Sequence, residues 1–600
     1  MVTEDRSPRL TWSDDGAPTS GRFGDVYYSK EDGLAEARAV FLTGCGLPGA
    51  WKDRSHFVVG ELGFGTGLNV AALIVLWRRE GPPNGRLHVF SVEGFPLTGD
   101  EAARALSAWP ELAEEVAALI AAWPAPTPGF HRLDLPPDWR VTLDIAIGPV
   151  EPALVRWQGQ ADAWFLDGFA PATNPEMWSP TVLAGVAERS RPGARIATFT
   201  VAGVVRRGLA DAGSRVEKKP GHGRKRERLE ATLPGTSPTQ TPAPRIAVVG
   251  AGIAGQATAR ALRALGAQPV LIDGEAPGAG ASGFPAALVT PRLDVGDLGL
   301  AALFAQALER AAGLYDAIPG AVTARGVTQL EQTARDAARF DRIAEQNVWP
   351  HGAMRRLDAA GTSAALGETV RMGGLEMRGA RAVAPAVIRE AWMQGVEILK
   401  ADVDGIDATP SGVRLIDAGG ATILEAEAVI LTAGWGTAVL APELGLRPVR
   451  GQADWADDVA ASAAAWGGYV APTDGGALFG ATHDRDRTDV VPDPADMRRN
   501  LATLAARLPD LARRVREADV QSRVAIRATT PDRLPLAGRL GDRIWVIGGL
   551  GSRGFALAPL LAEHVAAQIM AAPSPLPSDL ASRVDPLRLA ERAHTAERST

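Results

Sequence analysis

Two stretches of the chain repeat one local pattern: a short run of β-branched and aromatic residues, a glycine-rich turn, then a longer stretch with apolar residues every three or four positions. Each predicts a strand, a tight turn and a helix, the opening of a nucleotide-binding α/β unit. The first begins at HFVVGELGFGTGLNVAAL and the second at RIAVVGAGIAGQATARAL. Between them, residues 233–244 (LPGTSPTQTPAP) are too rich in proline, threonine and serine for either period, which predicts an exposed linker. The expected organisation is a domain over 1–232, this linker, a second domain over 245–570, and a peripheral tail over 571–600.

At 600 residues the chain exceeds what one core supports, so several compact units are expected. Its single cysteine, Cys45, excludes an intrachain disulfide, a cysteine-ligated cluster and a cysteine-rich zinc site, and suits a reducing, cytoplasmic setting. The eight histidines never fall at the spacing that puts two ligands on one helix face, so no catalytic metal is expected. The N-terminus is acidic and polar rather than signal-like, and no window has the apolar length of a membrane span. A net charge of −7 means that a nucleic-acid partner would need a local basic patch.

In the first unit, Gly63, Gly65 and Gly67 let the backbone turn tightly beside a ligand, and the next strand ends at Glu93, where a carboxylate can accept from both ribose hydroxyls. Glu61, just before the glycines, favours a cationic sulfonium over a diphosphate, so S-adenosylmethionine is preferred to a dinucleotide. The apolar run ADAWFL ends at Asp167 in a loop with Phe169 and Trp178. Asp167 is the candidate to orient or deprotonate an amine for methyl transfer; the alternative is a cap on the loop after its strand. The run Arg224, Lys225 and Arg226 either holds phosphates of an RNA or is a solvated basic face.

These segments, with FGDVYYSKEDGLAEARAVFL, FSVEGFPLT, DAWFLDGFAPATNPEMW and GHGRKRE, resemble the methyltransferase half of the MnmC family, bifunctional bacterial proteins of 5-methylaminomethyl-2-thiouridine biosynthesis. One departure is Pro149 in LDIAIGPV, where that family tends to carry an acidic residue.

In the second unit, Gly250, Gly252 and Gly255 precede a helix, and the following strand ends at Asp273, so a pyrophosphate would sit on the helix N-terminus and the carboxylate on a ribose. The small-residue loop PGAGASGFPAALVTP, the late strand VILTAGWGT and the final glycine turn before FALAPLLAEHVAAQI return to the cofactor as flavoproteins do, which selects FAD over NAD. The pattern resembles the glycine-oxidase and D-amino-acid-oxidase flavoenzymes, and more closely the oxidase half of the MnmC family. That resemblance implies an FAD-binding Rossmann part with a mixed-sheet substrate part. It places Arg527 where those enzymes bind a substrate carboxylate and Arg553 beside the flavin, roles suited to a guanidinium. Phe284 departs from the polar residue usual after GASG. RGQADWADD and LFGATHDRD also resemble substrate-domain segments, without an assignable role.

The resemblance implies two steps on the wobble uridine of tRNA: oxidative loss of the carboxymethyl group from 5-carboxymethylaminomethyl-uridine, then methylation of the exposed amine. A free amino-acid oxidase joined to a small-molecule methyltransferase, and a non-catalytic RNA-binding scaffold, are the competing readings. Nothing in the sequence sets the oligomeric state; a monomer suffices for either step.

Overall fold

The computed structural model describes residues 7–14, 16–28, 32–223, 226–237 and 243–589. They form two units. One comprises the described residues before Ala243 together with Ala571–Ser578, the other Ala243–Met570 with the chain from Asp579 onward.

The first unit is built on an eight-stranded sheet. Five parallel strands form its centre, in the order Ser190–Thr198, Ala161–Leu166, His56–Leu62, Arg86–Glu93, Val141–Ile147. Antiparallel strands flank it: Gly129–Leu133 at one edge and the hairpin Arg215–Pro220, Glu227–Thr232 at the other. Helices cover both faces, so the central strands read as unbroken apolar runs rather than alternating ones. Strand order runs outward from His56–Leu62 in one direction and then reverses to Ala161–Leu166. That reversal opens a crevice beyond the carboxyl ends of these two neighbouring strands, where α/β sheets bind ligands. One face is filled around Trp51 and Trp77, whose rings meet edge to face at 5.0 Å, and the other around Phe90 stacked on Trp157 at 4.4 Å.

The second unit repeats the logic. Its six-stranded sheet runs Glu397–Leu399, Gln268–Ile272, Arg245–Val249, Ala428–Leu431, Ile544–Gly548, Leu536–Gly541, parallel except at the last strand. The order reverses between Arg245–Val249 and Ala428–Leu431, making a second crevice. A ten-stranded mixed sheet, with Val322–Leu330, Gly374–Val383, Arg447–Asp457 and Val520–Thr529 among its longest strands, supplies the opposite wall. Helix Gly554–Ile569 is buried from Phe555 to Ala567, which explains its nearly all-apolar composition.

The tail differs from expectation. Leu576 and Val584 are both 0% exposed. Within the first unit, Gln158 Nε2 donates to the Leu576 carbonyl at 2.6 Å and Arg132 Nη2 to that of Pro573 at 3.2 Å. Within the second, Arg583 pairs with Asp297 at 2.6 Å and Arg588 with Asp532 at 3.0 Å. Residues 571–589 are therefore integral: 573–577 are buried in an irregular run, and the short helix Ser578–Val584 buries Leu580, Ala581 and Val584 on one face, too brief a period to stand out in sequence. The proline-rich segment 233–244 is likewise hydrogen-bonded at its start: Leu233 N–H donates to the Ala194 carbonyl at 2.9 Å, and Ser237 Oγ to that of Pro192 at 2.9 Å.

Among the described residues no helix is long and apolar enough to cross a membrane, and no group of three or more His, Cys, Asp or Glu side chains could hold a metal.

Candidate active sites

In the first crevice the glycine turn follows strand His56–Leu62, and Gly63, Gly65 and Gly67 all have positive φ, at 98°, 53° and 81°. A Cβ at Gly63 would lie 2.2 Å from the Asp167 carbonyl oxygen, so no other residue fits there. Because the two strands are neighbours, Asp167 emerges beside the turn, its N–H donating to the Leu62 carbonyl at 3.0 Å. Asn69, at the start of the next helix, donates through Nδ2 to Asp167 Oδ2 at 2.7 Å. Glu93 accepts from Gly65 N–H at 2.8 Å on Oε2 and from Phe95 N–H at 2.7 Å on Oε1. Each carboxylate oxygen can accept a further bond, so Glu93 can both brace the turn and receive ribose hydroxyls.

Gly63, Gly65, Asn69, Glu93 and Asp167 line a cavity of about 1080 Å³, and Gly67 stands just outside its wall. An aromatic wall closes one side: Phe23 lies 4.9 Å from Phe169 and 5.5 Å from Phe95, and Tyr27 meets Phe169 edge-on at 5.2 Å. Asp25 Oδ2 accepts from Ala170 N–H at 3.1 Å and so ties this wall to the loop after Asp167. Phe23 and Tyr27 were not singled out from sequence; the dense aromatic run FGDVYY was the available signal. The glycine cradle, the braced Glu93 and the enclosed apolar wall fit an adenosine-bearing methyl donor.

Glu61 is buried next to residues that line the cavity. It is 0% exposed, lies outside the cavity wall and accepts from Ser91 Oγ at 2.5 Å. Burial, opposed by the Ser91 bond and reinforced by the negative charges of Asp167 and Glu93, pushes its carboxyl up to about 8. That favours the protonated acid near neutral pH, and a bound cation would draw it back toward the carboxylate. Pro149 does line the cavity, and Glu151, two residues on, lines it too and returns a carboxylate to that wall. Arg226 is exposed, while Arg224 and Lys225 lie outside the described residues. Their hairpin reaches the cavity through His222, which lines it.

In the second unit, Gly250 has φ 104°, and a Cβ there would lie 2.6 Å from Ala433 Cα. A Cβ at Gly255 would lie 1.9 Å from the Gly250 carbonyl oxygen, so the helix can pack on the turn only through glycine. Gly252 caps helix Ile253–Ala264. Asp273 accepts from Ala251 N–H at 2.6 Å on Oδ2 and from Glu275 N–H at 3.0 Å on Oδ1, the same bracing that Glu93 gives the first turn. A cavity of about 1280 Å³ runs from this turn along the Gly278–Thr290 loop, Ala433 and the Gly548–Phe555 turn, which gives an extended dinucleotide room.

Arg527 and Arg553 both line this cavity. Arg527 stands on strand Val520–Thr529, and a Cβ at Gly451 would lie 2.5 Å from its Nη2. Glycine at 451 thus makes room for the guanidinium. Its protein hydrogen bond, to the Thr482 carbonyl, is long at 3.4 Å, and among the described residues no carboxylate pairs with it. Burial lowers its pKa, with the nearby Tyr469 hydroxyl acting in the other direction. A buried cation without an acid partner is costly unless a ligand completes it. Arg553 donates to the Thr290 carbonyl and Oγ1, each at 3.1 Å; burial and then the charge of Arg292 lower its pKa to about 10. Phe284 lines the cavity with the Arg523 guanidinium 5.8 Å from its ring centre, and Arg523 donates to the Gly278 carbonyl at 3.1 Å. An aromatic and cationic pair thus stands where a polar side chain was usual.

RGQADWADD also gains a structural role. Arg450, fully buried, binds Asp496 at 2.5 Å, Asp489 at 2.9 Å and the Val491 carbonyl at 2.8 Å, fixing the segment whose Thr488, Val490 and Pro492 line the cavity.

Residues 245–568 match a family model described as FAD dependent oxidoreductase, and residues 110–234 one described as S-adenosyl-L-methionine-dependent methyltransferase. The chain is 53% identical over 98% of both chains to a protein of Caulobacter sp. (strain K31), and 55% identical over 95% of this chain and 96% of the other to one of Caulobacter vibrioides. Both are named tRNA 5-methylaminomethyl-2-thiouridine biosynthesis bifunctional protein MnmC. Among solved structures, L-proline dehydrogenase from P. horikoshii aligns with a TM-score of 0.50 at 17% identity, covering 59% of this chain and 99% of that one, a likeness of fold alone. The chain belongs to the MnmC family, with an S-adenosylmethionine-dependent methyltransferase domain followed by an FAD-dependent oxidoreductase domain.

Proposed function

We propose that this protein converts 5-carboxymethylaminomethyl-(2-thio)uridine at the wobble position of tRNA first to the 5-aminomethyl and then to the 5-methylaminomethyl form, in the cytoplasm. The observation that carries the reading is Arg527, a buried guanidinium in the flavin cavity with no acid partner among the described residues. It suits a substrate that brings its own carboxylate, as an N-substituted glycine does. FAD, when bound, supplies the hydride acceptor, and S-adenosylmethionine the methyl group.

In the oxidase domain, Arg527 holds the substrate carboxylate and so fixes the CH₂ between nitrogen and carboxylate, the carbon that is oxidised. Loss of hydride there gives an imine on the substrate, which water hydrolyses to glyoxylate and the primary amine. Arg553 is held by Thr290 beside the path and adds positive charge to that end of the cavity. In the methyltransferase domain, Asp167 accepts an amine N–H and aligns the nitrogen lone pair, while Asn69 keeps the carboxylate in place. Phe23, Tyr27 and Phe169 stack around the base and exclude water. Arg224, Lys225 and Arg226, close in sequence to the cavity-lining His222, bind the RNA backbone.

An anaerobic titration tests the reading: tRNA carrying the carboxymethylaminomethyl group bleaches the flavin absorbance and yields one glyoxylate per flavin. Bleaching by free glycine but not by this tRNA would instead establish a free amino-acid oxidase.

A further inference from the structure

The cavity of the oxidase domain has a positively charged mouth that the two steps above do not use. Val449 is paired in register with Arg527 on one side and with Arg485 on the other. Residues directly opposite across antiparallel strands project to the same face, so the two arginines share a face about 10 Å apart, two strand spacings. Arg527 is inside the cavity; Arg485 is exposed at its edge, two residues beyond His483, which lines it. Arg533 stands on the turn just after strand Val520–Thr529, which carries Arg527, its N–H donating to the Thr530 carbonyl at 3.1 Å. Both Arg485 and Arg533 act on His483, whose imidazole is held below its usual pKa by partial burial and then by the charges of Arg527 and Arg485.

Most acids around these two arginines are already engaged; Asp486, next to Arg485, is exposed and forms no ion pair among the described residues. Asp484 pairs with Arg499 at 2.9 Å, Asp489 with Arg450 at 2.9 Å, and Asp532 with Arg588 at 3.0 Å. Arg485 and Arg533 form no ion pair among the described residues. Arg533 is also held with φ 59°, a left-handed backbone that a non-glycine residue adopts only when its surroundings enforce it. Its turn is tied down: Thr530 Oγ1 donates to the Leu534 carbonyl at 2.7 Å, and Leu534 N–H to Asp532 Oδ1 at 3.0 Å. Two exposed guanidinium groups without an ion pair among the described residues, on a chain of net charge −7, mark a local anion site.

We propose that Arg485 and Arg533 form a phosphate subsite at the mouth of the flavin cavity, holding the phosphodiester backbone beside the modified uridine while Arg527 holds its side-chain carboxylate. The inference rests on the tRNA reading above. A two-strand offset matches a nucleotide lying with its 5-substituent inward and its sugar-phosphate outward. Phosphate contacts of this kind position a strand without reading its sequence.

Full-length, flavin-loaded protein tests the subsite with Arg485→Gln, Arg533→Gln and the double variant, on substrate tRNA and on the free nucleoside 5-carboxymethylaminomethyluridine, which has no phosphate. The double variant raises KM for tRNA about tenfold with kcat kept, and flattens the dependence of log(kcat/KM) on log salt by about one per arginine. Its KM for the nucleoside stays at the wild-type value, and Arg485→Lys restores most of the salt dependence. An equal rise in KM for both substrates, or an unchanged salt slope on tRNA, overturns the subsite. Failure of the underlying reading looks different: the wild type then oxidises the nucleoside and leaves the tRNA untouched.

Discussion

Asn69 Nδ2 and Asp167 Oδ2 stand 2.7 Å apart, joining the first residues of the helix after the glycine turn to the end of the adjacent strand. In the proposed reaction, that bond fixes the carboxylate that accepts an amine N–H and leaves the nitrogen lone pair free to face the methyl group. Asp167→Asn keeps S-adenosylmethionine binding and lowers methyl transfer by about 10²–10⁴, the range for a positioned acid or base. Asn69→Ala acts through Asp167 and has a smaller effect on kcat, with donor affinity held. Calorimetry for the donor and single-turnover methylation of aminomethyl tRNA separate the two effects; equal loss of binding and turnover would contradict the assignment.

Arg527 predicts a loss confined to the other domain. Arg527→Gln removes a charged, bidentate contact and lowers kcat/KM for oxidation by at least about 10², while flavin absorbance is kept and methylation of supplied aminomethyl tRNA is unaffected. Gly451→Ala, whose Cβ would lie 2.5 Å from the guanidinium, shows the same selective loss in milder form. Paired assays of glyoxylate and of methyl incorporation distinguish this from general unfolding.

Glu61 gives a pH test. Its folded pKa, about 8, lies above the unfolded value, so the folded state binds the extra proton between roughly pH 4.5 and 8. Its contribution to stability is therefore full below about pH 4.5 and is lost as pH rises through 8. Glu61→Gln, a neutral stand-in for the protonated acid, gains on the wild type as pH rises across this window, by at most about 4 kcal/mol. Chemical denaturation of the methyltransferase unit at pH 5 and pH 8 reads the difference; no change between the two would refute the neutral carboxyl.

His564 makes the opposite prediction in the oxidase unit. Burial lowers its pKa to about 4, so the unfolded state takes up the proton first on acidification. Stability is complete above about pH 6.5 and falls as pH drops toward 4, with at most about 3 kcal/mol from this group. The loss is read as the difference between wild type and His564→Gln in flavin release on heating.

The βαβ units were legible because their glycines and terminal acids answer to backbone geometry: Gly63 and Gly250 sit where a Cβ collides, and Glu93 and Asp273 each brace a turn. Spacing cannot say which way a residue in a doubly covered strand points, so the burial of Glu61 was not legible. The burial of the tail was not legible because Leu576 lies in an irregular run and helix Ser578–Val584 gives its buried face barely two turns. The partners of Arg450 lie on distant segments, so its role was invisible until the chain folded. Phe23 and Tyr27 become a wall only when Asp25 docks on Ala170.

The most direct measurement of the central claim is nucleoside mass spectrometry of tRNA carrying 5-carboxymethylaminomethyl-2-thiouridine, incubated with the protein with and without S-adenosylmethionine. The account predicts the aminomethyl nucleoside without the donor and the methylaminomethyl nucleoside with it. Unchanged carboxymethylaminomethyl nucleoside in both tubes, from protein that carries its flavin, would contradict it.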